Sequence, residues 1–91
     1  MKYEVFYTNR FKKDYALCKK RGLDIDILKQ AVAILAETGV LPKQYKPHPL
    51  QGKYAGKMEC HLQPDWLLVW EQNDSKLILL FTNTGTHSDL F

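Results

Sequence analysis

Three histidines, His48, His61 and His87, together with Asp65, are the side chains of this 91-residue chain best suited to moving protons. His61 stands in the segment from Lys57 to Leu62, whose alternation places Met58, Cys60 and Leu62 on one face of a strand and Lys57, Glu59 and His61 on the other. A histidine packed in the core would have the opposite parity, so His61 belongs to the polar, open face. His48 lies between Pro47 and Pro49 in an aperiodic stretch, where a stiff backbone directs the ring outward or across a sheet. His87 follows Gly85 and Thr86 directly after the last strand-like run. Asp65 sits in the turn before Trp66, at the same end as His61.

Such a set suits cleavage of RNA. A base takes the proton of a 2′-hydroxyl, the freed oxygen attacks the adjacent phosphate, and an acid protonates the departing 5′-oxygen; that reaction needs no metal and no organic cofactor. Imidazole, with an ordinary pKa of about 6.5, serves on either side of it near neutrality, and a neighbouring carboxylate acts as base or orients an imidazole. Each residue also has a plainer reading. Surface histidines are common without any chemistry, Pro64-Asp65 makes a good hairpin turn, and Phe91 suits a chain-end anchor in the core as well as a platform for a nucleobase. Trp66 and Trp70 share parity on one strand and read as core or partner-facing bulk. A zinc site from the three histidines lacks local pairing such as HxxxH, and no metal is assigned.

Holding these groups together requires a scaffold, and its elements are visible as periods. Lys2 to Tyr7 alternates like a strand, with Tyr3, Val5 and Tyr7 on one side. Thr8 or Asn9 then caps a helix carrying Phe11, Tyr15 and Cys18, which Gly22 stops. Asp24 caps a second helix with a stripe of Ile27, Leu28, Ala31, Ile34 and Leu35, and Gly39 marks its exit. From Val40 to Tyr54 the periodicity disappears, and Pro42, Pro47 and Pro49 keep the path extended and non-helical. So long a loop in so small a chain invites a functional explanation. Strand-like runs follow at Lys57 to Leu62, Trp66 to Glu71 and Lys76 to Phe81, and Gly85 to Phe91 has room for one helical turn. The order is β-α-α-β-β-β, an α+β class in which a helical hairpin packs on a small, mostly antiparallel sheet.

Residues 1–91 are expected to form a single domain, since so short a chain cannot divide its apolar residues between two cores. A net charge of +3 fits an RNA or acidic protein partner but is weaker than a stand-alone nucleic-acid binder carries. The basic clusters, Arg10 to Arg21 and Lys43 to Lys57, read equally as solvated faces or phosphate contacts. Two distant cysteines, Cys18 and Cys60, fit reduced thiols in a cytosol. With neither a signal-like segment nor a membrane-spanning run, a cytoplasmic protein without membrane contact is expected.

Read together, His48-Pro49-Leu50-Gln51-Gly52, His61-Leu62-Gln63-Pro64-Asp65-Trp66 and Gly85-Thr86-His87-Ser88-Asp89-Leu90-Phe91 closely resemble the YafQ toxins of the RelE superfamily. The resemblance spans the chain and implies a RelE-like fold. It also implies a toxin of a type II toxin–antitoxin system that cleaves translated mRNA in the ribosome decoding site. His48, His61, Asp65 and His87 would be catalytic, and Phe91 would position the messenger. His87 and Asp65 are the main acid and base candidates, with no assignment of which is the base, while His48 and His61 support the phosphate or share proton transfer. The implied partner is a ribbon-helix-helix antitoxin of the DinJ or RelB kind, with operator DNA contacted only through the antitoxin complex. One position departs: four residues before the last histidine the family pattern has an arginine, and this chain has Asn83. Lys57, on the face of His61, is the candidate substitute for that charge, and Lys53 a second helper. Two other readings follow from the superfamily: a ParE-like toxin that binds gyrase, and a catalytically weakened toxin kept for antitoxin binding and autoregulation.

Overall fold

Side-chain caps start both long helices in the computed structural model, which describes residues 2–91. After strand β1 (Glu4–Tyr7), the Thr8 hydroxyl accepts from the Phe11 amide at 3.0 Å and opens helix α1 (Asn9–Lys20). The Asp24 carboxylate accepts from the Asp26 amide at 3.1 Å and opens helix α2 (Ile25–Thr38). Each cap satisfies a donor that a first helical turn leaves free. α2 stops at Gly39, whose left-handed φ of 74° lets its amide reach the Leu35 carbonyl at 2.8 Å. A Cβ at Gly39 would stand 2.5 Å from the Tyr3 hydroxyl, so packing as well as backbone demands glycine there.

The stretch expected to be a loop is more ordered than its sequence suggests. It holds two 3-10 turns, Lys43–Tyr45 and Gly52–Tyr54, with a two-residue strand, β2 (His48–Pro49), between them. Two residues show no period, and Pro49 is tolerated because β2 forms the edge of the sheet. β3 (Lys57–Gln63), β4 (Trp66–Asn73) and β5 (Ile78–Gly85) follow, and the one-turn helix α3 (His87–Leu90) closes the chain. The five strands lie in the order β1-β5-β4-β3-β2, with β1 parallel to β5 and every other pair antiparallel. The α+β, mostly antiparallel architecture is the expected one, with β2 added.

Strand ends moved for identifiable reasons. β1 begins at Glu4 because the Lys2 and Tyr3 amides bond the Ala36 carbonyl, at 3.0 and 2.8 Å, at the end of α2. β5 runs on to Gly85 because an irregularity in its pairing, between Val69/Asn83 and Trp70/Phe81, absorbs Thr82 and lets the ladder continue. The helix-facing side carries Cys60, Leu62, Trp66, Leu68, Trp70 and Phe81, which pack with Phe11, Cys18, Leu28, Ala31 and Leu35. Trp66 and Trp70 are therefore core. The Trp66 indole donates to the Thr84 hydroxyl at 3.0 Å, and that hydroxyl donates to the Leu67 carbonyl at 2.8 Å, so the buried ring keeps its polar edge bonded. Among the described residues no helix is long and apolar enough to cross a membrane.

Candidate active site

Strand register decides which side chains meet on the face the helices leave open. In one row His48 pairs with Glu59, Glu59 with Val69 and Val69 with Asn83; in the next, His61 pairs with Leu67 and Leu67 with Gly85. Residues paired in this way share a face. The expected parity of His61 therefore holds, and β2 delivers His48 to the same surface. The His48 and His61 ring centroids lie 6.2 Å apart, and those of His61 and His87 6.0 Å apart. The three imidazoles, separated by up to 39 positions in sequence, are thus neighbours, with His61 adjoining both of the others.

Each ring is held differently. His87 Nδ1 lies 3.1 Å from Asp65 Oδ1, and the same oxygen accepts from the His87 amide at 3.4 Å. These bonds, the ring's first, hold the Asp65 carboxyl below its ordinary range. Asp65 is thus both the hairpin residue between β3 and β4 and the partner of His87. His61 Nδ1 approaches the Pro64 carbonyl at 3.4 Å. His48 Nδ1 meets the Lys46 carbonyl at 2.9 Å, and its Nε2 meets Glu59 Oε1 at 3.1 Å.

The turn that carries His87 is fastened from two sides. The Thr86 hydroxyl accepts from the Asp89 amide at 3.2 Å while the Thr86 amide donates to Asp89 Oδ2 at 3.0 Å, a reciprocal capping box. Arg21, just past the end of α1, donates to both Asp89 oxygens at 2.7 and 3.4 Å. The guanidinium first, then the Thr86 amide, pull the Asp89 carboxyl down to about 2. At Gly85 a Cβ would sit 2.9 Å from Asp89 Oδ2, which keeps that position bare.

Phe91 is not a core anchor. It is 53% exposed, its ring meets Tyr54 edge-on at 5.0 Å, and it lies 6.5 Å from the His87 ring. Tyr54 belongs to the second 3-10 turn of the long connection, so the stretch without periodicity lines the site from the other side. Lys57 lies on the expected face, but its ammonium is bonded to Glu71 at 3.2 Å, in the row beyond Glu59 from His61. Lys53 stacks its ammonium 5.4 Å from the Tyr54 ring. Asn83 is half-buried at the end of the His48 row.

Three residues here were not singled out from sequence. Glu59 is 5% exposed, and its parity with Lys57 and His61 was the available signal. Arg21 and Asp89 lie 68 positions apart, and nothing local joins them. Cys18 and Cys60 are buried free thiols, and burial pushes Cys60 up to about 12, so neither contributes a nucleophile. Among the described residues no group of three or more histidines, cysteines and acidic residues is arranged to hold a metal ion.

All three imidazoles, of His48, His61 and His87, turn Nδ1 toward an oxygen, of the Lys46 carbonyl, the Pro64 carbonyl and Asp65 respectively, and the half-buried Tyr54 and the exposed Phe91 lie beside His87. Comparison with known proteins identifies the family. The chain is 38% identical over 97% of its length, and 95% of the relative's, to a protein of Escherichia coli K12 named mRNA interferase toxin YafQ. The crystal structure of YafQ from Escherichia coli BL21(DE3) superposes with a TM-score of 0.91 at 37% identity, covering 98% of both chains. The toxin chain of an Escherichia coli DinJ–YafQ complex superposes with a TM-score of 0.89 at 38% identity, again over 98% of both chains. Residues 3–91 match the family model described as bacterial toxin of type II toxin–antitoxin system, YafQ, and the chain belongs to that family.

Proposed function

We propose that this chain is an mRNA interferase: an endoribonuclease that cuts messenger RNA in the decoding site of the ribosome and so inhibits translation. The observation that carries this reading is the His87–Asp65 pair beside His61 on the open face of the sheet. His61 Nε2 takes the proton of a ribose 2′-hydroxyl. The oxygen attacks the adjacent phosphorus, a 2′,3′-cyclic phosphate forms, and the bond from phosphorus to the 5′-oxygen breaks. His87 Nε2 gives its proton to that departing oxygen, and the Asp65 carboxylate at Nδ1 supports the imidazolium that donates it. Phe91 and Tyr54 offer a stacking platform for a base next to the scissile phosphate.

The modest net charge suits an enzyme whose substrate is already positioned by the ribosome, since electrostatic capture of free RNA is then unnecessary. An antitoxin of the ribbon-helix-helix kind, like the DinJ seen with the similar toxin, would cover this face, and operator DNA would be met only through that complex. Ribosomes programmed with a defined messenger test the proposal. The wild-type chain should generate new 5′ ends within translated codons, and His87→Ala should lower their rate by about 10²- to 10⁴-fold, the usual worth of a positioned proton donor. Absence of cleavage by the wild type, or equal cleavage by the variant, refutes it.

A further inference from the structure

Glu59 is a buried carboxylate to which the acid–base scheme gives no task. It is 5% exposed, stands between the His48 and Val69 positions on the open face, and pairs with His48 Nε2 at 3.1 Å. The other nitrogen of the same ring lies 2.9 Å from the Lys46 carbonyl. A carbonyl and an ionised carboxylate both accept, so both bonds are made only when both ring nitrogens donate, and an imidazole with two N–H groups is a cation. The pair is also graded in depth: the His48 side chain is 44% exposed and that of Glu59 only 6%. An incoming phosphate therefore meets the positive member, with the negative one beneath it. Glu59 and, at 6.2 Å between centroids, His61 are ionisable side chains set against the ring.

We propose that Glu59 is a positioning residue that holds His48 doubly protonated, making His48 a fixed positive charge beside the scissile phosphate and not a proton carrier. This rests on the proposed nuclease reading and divides its histidines: His61 and His87 move protons, and His48 stabilises the charge that develops on the phosphate oxygens. The same row of the sheet ends at Asn83, which brings an amide and no charge, so the row's cation enters from β2.

Two measurements on the full chain decide the matter. Long-range proton–nitrogen correlation spectra at pH 7.5 should show both His48 ring nitrogens protonated in the wild type and one unprotonated, pyridine-type nitrogen in Glu59→Gln. On programmed ribosomes Glu59→Gln should cut at unchanged positions about tenfold more slowly, less than loss of a direct donor because the imidazole remains. Adding Asn83→Arg, which restores a cation to the row, should recover most of that rate. A pyridine-type nitrogen on wild-type His48, or wild-type cleavage by Glu59→Gln, overturns the proposal. The spectra need no substrate, so failure of the wild type to cut messenger would strike the nuclease reading separately from the charge on His48.

Discussion

His87 and His48 each meet a carboxylate at 3.1 Å, yet the two pairs differ in depth. The Asp65 side chain is 71% exposed, whereas that of Glu59 is 6% exposed. Loss of His87 leaves a carboxylate that water can solvate; loss of His48 leaves a buried one without its partner. His48→Ala should therefore destabilise the fold by about 2–3 kcal/mol, below the 3–5 kcal/mol of a fully buried pair because the ring is partly exposed. His87→Ala should stay within about 0.5 kcal/mol of wild type. Urea unfolding of the two variants checks this, and equal midpoints would contradict it. At this scale much of the site was legible. Parity placed His61 on the open face, and the chain-end motif drew attention to His87 and Phe91. Parity reports polarity and not depth, which is why Glu59 passed as one more polar residue and why Phe91 was open to a core reading.

The least legible elements are the short ones, β2 and α3. β2 is two residues long, below any detectable period, and exists because His48 and Pro49 find Glu59 and Met58 across the ladder. α3 has four residues and depends on its attachments, chiefly the bonds from Arg21 and Thr86 to Asp89. These attachments make the turn sensitive to acid. The Asp89 carboxyl is held at about 2 against an ordinary 3.8, so its contribution is complete above about pH 4 and fades as pH falls toward 2, when the detached state takes up the proton first. Between those pH values the contact of Phe91 with Tyr54 should loosen before the sheet does. Nuclear Overhauser contacts between the two rings, followed from pH 5 to pH 2, check this. An Arg21→Ala chain should lose them at higher pH, and an unchanged profile in that variant would contradict the role given to Arg21.

For the molecule as a whole, helix caps and strand alternation are local signals, and they foretold the order of the long elements. The pairing of β1 beside β5 joins the two ends of the chain and has no local signature. One bond that secures it is the Tyr3 hydroxyl, which donates to Asp74 Oδ1 at 2.7 Å, while Gln72 donates to the same oxygen at 2.9 Å and to the Gly39 carbonyl at 3.0 Å. Tyr3→Phe keeps the buried ring and removes the bond, so it should cost about 1 kcal/mol in thermal or urea unfolding without altering cleavage. A chain assembled in this way brings His61 and His87 to one surface from separate strands and turns, and the chemistry assigned to them leaves a specific mark. The ends of cleaved messenger on the ribosome should be a 2′,3′-cyclic phosphate upstream and a 5′-hydroxyl downstream. A 5′-phosphate on the downstream fragment would contradict attack by the 2′-hydroxyl and the acid–base roles that follow from it.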